Sequence, residues 1–194
     1  MSDMTYDERE LPPALGVVLD EDRGALPYAL IHGEALVACA AWALGGAGVT
    51  PVDVGVPWSS VQTAEEAVVL HDALCPMTPA AFIARCVEQA LEHDAVVVAV
   101  RPVTDTVKHV DAGVVGETVD REGLLAPSSP VVLPPSVVGA LDDFPGQDLT
   151  AVVAGLRGRH AIETVLAPPE ARRVTSAEEI VLLEALTGEA PTPF

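Results

Sequence analysis

The sequence predicts a single three-layer α/β domain over residues 1–194, with a mostly parallel, Rossmann-like sheet and a protruding β-arm. Three observations predict it. Short apolar runs alternate with stretches of helical period; one of them, Ala95–Val100, is unbroken, as a strand buried on both faces requires. After that run the pattern changes to polar–apolar alternation, with Val103, Thr104, Thr106, Val107, Lys108 and Val110 on one limb and Val114, Val115, Val119 and Arg121 on the other, joined by an Asp111–Ala112–Gly113 turn.

In chain order, residues 1–13 are polar and end in Pro12–Pro13, so a frayed leader is expected. Ala14–Leu19 is the first strand, and the Asp20–Glu21–Asp22–Arg23–Gly24 turn reads as a plain surface turn with one glycine and three carboxylates. Glu34–Leu44 is helical by composition and ends at Gly45–Gly46. Val52–Val56 is the second strand, and Trp58 to Ala67 a compact turn leading to a third strand at Val68–Leu70. Thr78 as cap and Pro79 at the first position start a helix carrying Phe82, Ile83, Cys86, Val87, Ala90 and Leu91 on one face. It delivers the chain into Ala95–Val100. Val131–Leu133 re-enters the body after the arm, and Val137–Leu141 suits a short helix. Asp148 is placed to cap another helix, Ala161–Leu166 is the last strand, and Ser176 with Glu179 forms a capping box for a final helix burying Ile180, Leu183 and Leu186.

Composition bounds the function. The formal net charge is −19, from 29 acidic and 10 basic residues, so nucleic acid is excluded as a partner and any phosphorylated ligand requires basic residues concentrated locally. No apolar run approaches a membrane span and no signal-peptide pattern is present, so a cytoplasmic protein is expected. Cys39, Cys75 and Cys86 have neither zinc nor disulfide spacing and read as buried thiols. His71–Asp72 falls at a strand's carboxyl end, where open α/β sheets bind ligands; there Asp72 suits magnesium or a ribose hydroxyl, or simply accepts from turn amides.

Four segments in order carry a resemblance: His71–Asp72–Ala73, Pro102–Lys108, Thr118–Leu124 and Arg173–Glu179. Together they resemble the 2-C-methyl-D-erythritol 4-phosphate cytidylyltransferases of the non-mevalonate isoprenoid route, over roughly residues 66–188. The resemblance implies a nucleotidyltransferase fold and a homodimer joined through the arm, residues 101–126. It also implies a substrate-binding set of Thr106, Arg121, Ser129 and Asp148. Catalytic roles fall to Arg173 and Asp72, and Asp72 would serve as the ribose or magnesium ligand. Mg2+ is the cofactor if the chain is active, and none is expected otherwise. The chain departs from the family on the nucleotide side: the glycine-rich basic loop is replaced by Asp20–Glu21–Asp22, Tyr28 stands for a lysine after Pro27, Leu74–Cys75–Pro76 lacks an arginine, and no room remains for a glycine-glycine-arginine unit before Val68. Several such losses would remove most of the rate. The sequence therefore reads as a degenerate homologue without normal CTP-dependent catalysis. The alternatives are an active cytidylyltransferase taking its charges from Arg23, Lys108 or Arg101, and an unrelated α/β binding or structural protein.

Overall fold

A computed structural model describes residues 12–53, 55–103, 107–111, 114–119 and 123–188. The elements are β1 (Ala14–Leu19), β2 (Leu30–Ile31), β3 (Glu34–Ala35), α1 (Leu36–Gly46), β4 (Val49–Pro51), α2 (Trp58–Thr63), β5 (Ala67–Asp72), α3 (Ala80–His93), β6 (Val96–Pro102), β7 (Val107–Asp111), β8 (Val114–Val119), β9 (Leu125–Leu133), α4 (Pro135–Ala140), α5 (Leu149–Leu156), β10 (Ile162–Leu166) and α6 (Ala177–Thr187). Six strands form the main sheet in the order β10-β6-β9-β5-β1-β4. Pairing is parallel for β4–β1–β5 and for β6–β10, and β9 runs antiparallel between β5 and β6. The segment expected merely to re-enter the body is thus the strand that joins the two parallel halves.

Alternation along the strands supplies both covering layers. Val69, Val97, Ala99 and Val132 pack against Leu44 of α1 and Phe82, Ile83, Cys86 and Val87 of α3. Val68, Leu70, Val96, Val98, Val131 and Leu133 meet Trp58 and Val61 of α2, Val137 and Val138 of α4, and Leu149, Val152 and Leu156 of α5. A third cluster, Ile31, Leu36, Leu74, Val174, Ile180 and Leu183, holds α6 and the β2–β3 hairpin near the carboxyl end of β5.

The structure corrects several element assignments, among them the start of the first helix, since Glu34–Ala35 is strand β3 and α1 begins at Leu36. The second strand is Val49–Pro51, not Val52–Val56: Val52 N still donates to Gly16 O, but Asp53 Oδ1 then accepts from Gly55 N at 2.7 Å, and this Asx turn ends the pairing. The interval read as a compact turn contains α2, anchored by buried Trp58 edge-on to Phe144 at 6.0 Å. At α3 the capping position is Pro79, and Thr78 Oγ1 instead donates back to Cys75 O at 2.8 Å. Leu186 is 47% exposed, so α6 buries Ile180 and Leu183 without it.

The arm leaves the sheet as a continuation of its central strands. Val100, Arg101 and Pro102 of β6 pair with Pro127, Ala126 and Leu125 of β9. Beyond this base β7 and β8 pair antiparallel as a separate two-stranded sheet, Val107 opposite Val119 and Asp111 opposite Val114. Thr106 and Arg121, two of the predicted substrate-binding residues, lie outside the described residues.

Candidate functional site

Strands β1 and β5 end together, Leu19 opposite Asp72, and the chain leaves both toward one cavity of about 510 Å³. Its walls come from the loop after β1 (Asp22, Arg23), the end of β5 (Asp72, Cys75), the start of β9 (Ala126 to Ser129), Arg101 of β6, the entry to α5 (Gln147 to Thr150) and Arg173. This is the position at which open α/β sheets bind ligands.

Asp72 is the hub. Its Oδ1 accepts from Arg23 Nε at 2.8 Å and from Leu74 N at 2.9 Å; its Oδ2 accepts from Arg173 Nε at 3.0 Å and Arg23 Nη2 at 3.2 Å. The Asp72 and Arg23 side chains are only 7% and 9% exposed, whereas Arg173 is 46% exposed at the rim. Burial by itself would raise the Asp72 pKa, but the bonds from Arg23, Leu74 N and Arg173 outweigh it and hold the carboxyl below its ordinary value. Arg23 is as fully engaged as its partner: Nη2 also donates to Gln147 O at 2.8 Å and Nη1 to Glu21 O. The turn expected to lie on the surface therefore inserts its one cation beneath the site. Its three carboxylates remain in the turn, and Asp20 accepts from the Tyr28 hydroxyl at 3.3 Å.

The remaining polar groups are also set by local structure. Ser129 Oγ accepts from Asp72 N at 2.9 Å and bonds to His71 Nδ1 at 2.5 Å, tying β9 to the end of β5. Burial lowers the His71 pKa to about 4, against the opposing pull of Asp72, so the ring is neutral near pH 7. Asp148 caps α5, Oδ1 accepting from Thr150 N and Ala151 N at 2.8 and 3.3 Å. Burial pushes the Cys75 thiol up to about 12, which leaves it a poor nucleophile. Arg101 donates from Nη1 to Pro168 O at 3.0 Å, and Arg172 turns toward Glu179 at 3.8 Å instead of the cavity.

Asp72, Ser129, Asp148 and Arg173, all singled out in the sequence, thus converge on one cavity. Arg23 and Arg101, named there only as alternative charges, join them, while Gln147 was missed. The available signal was the scarcity of cations: three of only ten basic residues face this cavity in a strongly acidic chain.

Mg2+ does not fit this arrangement. Both Asp72 oxygens already accept guanidinium donors, and two cationic heads occupy the ground where a divalent ion needs negative charge. Among the described residues no three His, Cys, Asp or Glu side chains group as metal ligands.

The family described as 2-C-methyl-D-erythritol 4-phosphate cytidylyltransferase matches residues 52–143. The chain is similar to the protein of that name from Corynebacterium glutamicum, 31% identical over 202 residues that cover 99% of this chain and 75% of that protein. It is likewise similar to the one from Geotalea uraniireducens, 32% identical over 127 residues, where the match covers 62% of this chain and about half, 53%, of the relative's length. Among solved structures, the cytidylyltransferase of that name from Thermus thermophilus superposes with a TM-score of 0.62 at 20% identity, covering 88% of this chain and 96% of that one. The 4-diphosphocytidyl-2C-methyl-D-erythritol synthase of Anaerococcus prevotii gives 0.65 at 13% identity, covering 90% and 97%. At those identities the structures support the fold alone.

Proposed function

The chain belongs to the 2-C-methyl-D-erythritol 4-phosphate cytidylyltransferase family, and from that premise we propose that it binds a phosphorylated small molecule at the Arg173 rim and lacks the normal CTP-dependent transfer. The observation that carries this reading is the closed Arg23–Asp72 pair. In the family an aspartate at this strand end serves the nucleotide or its metal; here that carboxylate is spent on two arginines of the same chain. Arg173, half exposed, is the cation best placed to meet a phosphate, and Arg101 lines the same cavity.

Titration calorimetry tests it. 2-C-methyl-D-erythritol 4-phosphate is expected to bind, and Arg173→Met to weaken it roughly 10- to 100-fold, the worth of one or two charge-assisted hydrogen bonds. CTP with magnesium is expected to give no measurable binding. The second reading, an active cytidylyltransferase of the isoprenoid route, is favoured by the convergence of Arg23, Arg101 and Arg173 on one cavity. Tight CTP binding, lost in Arg23→Met, would establish it instead.

The assembly belongs to the same proposal: a homodimer formed through residues 101–126. A two-stranded ribbon such as β7–β8 is marginal in water, and its sequence carries Val103, Val107, Val110, Val114, Val115 and Val119. A twofold contact lets one patch cover its own copy. Light scattering is expected to report a dimer for the wild type and a monomer for Val115→Asp, because a carboxylate forced into an apolar contact costs several kcal/mol, on the order of 3 or more. A wild type that is monomeric at tens of micromolar, on the order of typical assay concentrations, would sink it.

A further inference from the structure

A second cavity, of about 630 Å³, lies on the α5 side of the sheet. Its floor is Val98 and Val100 of β6, Leu125 and Pro127 of β9, and Ile162 and Thr164 of β10; the members of each pair are two positions apart, which puts all of them on one face of the sheet. The trough exists because α5 is short. Over 8 residues it buries Leu149, Val152 and Leu156 against the centre of that face, and only Val153 and Ala154 reach the wall of the trough beside edge strand β10. Leu125 is left 49% exposed. The charged groups of the trough have one sign. After α5 the chain turns at Gly158, where φ is +80°, and the Arg159 and His160 amides both donate to Leu156 O at 3.1 Å; this turn sets Arg157 and His160 in the cavity wall. The chain has 29 acidic and 10 basic residues, yet among the described residues no carboxylate lines this cavity, whereas Asp22, Asp72 and Asp148 line the first. Among the described residues Arg157 also enters no ion pair, in contrast to Arg23 and Arg173.

We propose that this trough is a binding site for an amphipathic anion, a hydrocarbon chain with a carboxylate or phosphate head, whose chain lies on the floor of β10, β6 and β9 and whose head meets Arg157 and His160. The volume falls within the roughly 300–1,000 Å³ of small-ligand sites. Three adjacent strands measure about 10 Å across, the length of a chain of roughly eight carbons. Each methylene buried on such a floor tightens binding about three- to fourfold, and a charge-assisted hydrogen bond at the head adds roughly tenfold or more. The site is distinct from the Asp72 cavity: Pro127 and Thr150 border both, but Arg23, Arg101 and Arg173 line only the first, and Arg157 and His160 only the second.

Titration calorimetry on the full-length protein tests it with octanoate, butanoate, octanol and octylammonium, each kept below micelle formation. Octanoate is expected to bind roughly 100-fold tighter than butanoate, and roughly tenfold or more tighter than octanol or octylammonium. Arg157→Gln is expected to bring octanoate within about twofold of octanol while leaving octanol binding unchanged. Ala154→Trp, on the exposed side of α5, is expected to block octanoate and octanol alike, and Arg173→Met to leave octanoate binding unchanged. Far-UV circular dichroism checks that each variant keeps its fold. Absence of octanoate binding, equal binding of octanoate and octanol by wild type, or a loss that follows Arg173→Met instead of Arg157→Gln overturns the assignment. Octanoate binding that appears only in the Val115→Asp protein, and not in wild type, would give the trough to the arm of a second copy and overturn it as well.

Discussion

Asp72→Ala is expected to lower folding stability by about 3–5 kcal/mol, as breaking a buried ion pair does when one partner is left without its counter-charge. The Arg23 guanidinium would stay beneath the surface with Glu21 O and Gln147 O as its only acceptors among the described residues, and the turn before α3 would lose the Leu74 N bond as well. Urea titration followed by far-UV circular dichroism measures the loss. The double change Arg23→Met with Asp72→Leu is expected to recover most of it, since a buried pair replaced by apolar side chains of similar volume is often neutral. The pH dependence has a definite sign. Because the folded-state pKa of Asp72 is depressed, its contribution is fully present above the unfolded carboxylate value of about 4 and is lost as the pH falls through the lower folded value. Wild type is therefore expected to lose stability on acidification below about pH 4 more steeply than the double variant. Equal acid limbs in the two proteins would show that the pair carries no such linkage.

Purified protein given CTP, magnesium and 2-C-methyl-D-erythritol 4-phosphate is expected to release no pyrophosphate at the ordinary enzymatic scale of roughly 1 per second or more. Nucleotidyl transfer is catalysed mainly by position and positive charge, since the phosphorus centre needs little covalent help. Here the loop that would face a triphosphate carries Asp20, Glu21 and Asp22, Tyr28 donates to Asp20 where a lysine would serve the nucleotide, and Arg23 is held under the floor of the site. Removing one preorganised charge stabiliser costs about 100- to 1000-fold in rate, so the loss of two or three together takes turnover down by roughly four to nine orders of magnitude. A coupled pyrophosphate assay reads this directly. Turnover near 1 per second, on the usual enzymatic scale, would mean that substrate draws Arg23 away from Asp72, and Arg23→Met would then abolish it.

Several local patterns carried through to the structure. The unbroken Ala95–Val100 run became a strand buried on both faces, His71–Asp72 fell at a strand end, and Asp148 and Ser176 cap their helices as their neighbours in sequence predicted. Each of those depends on residues within a few positions. Arg23 was legible only as a turn residue and an alternative charge, because its partners Asp72 and Gln147 lie 49 and 124 positions away. The place of Gln147 in the cavity wall could not be seen for the same reason. The end of β4 turned on a single Asx contact at Asp53, finer than apolar periodicity resolves. Leu186 continues the helical apolar spacing of α6, but the third cluster closes over Ile180 and Leu183 and leaves it outside.

Strand β9 imposes an order on the birth of the protein. The β4–β1–β5 half of the sheet can be made from the first 72 residues, and β6 follows by residue 102, yet the two halves share no strand pairing until residues 125–133 arrive between them. A chain emerging from the ribosome therefore carries one half-sheet with an open edge and the unpaired strand β6 while the arm is being synthesised, and β10 must still be added at the far side. Closing the sheet requires the arm's loop to be ordered at its base before the central pairing is rewarded, a non-local step of the kind that slows folding. The walls of the cavity, drawn from both halves, from β9, from Gln147 to Thr150 and from Arg173, are complete only after the chain beyond β9 has followed.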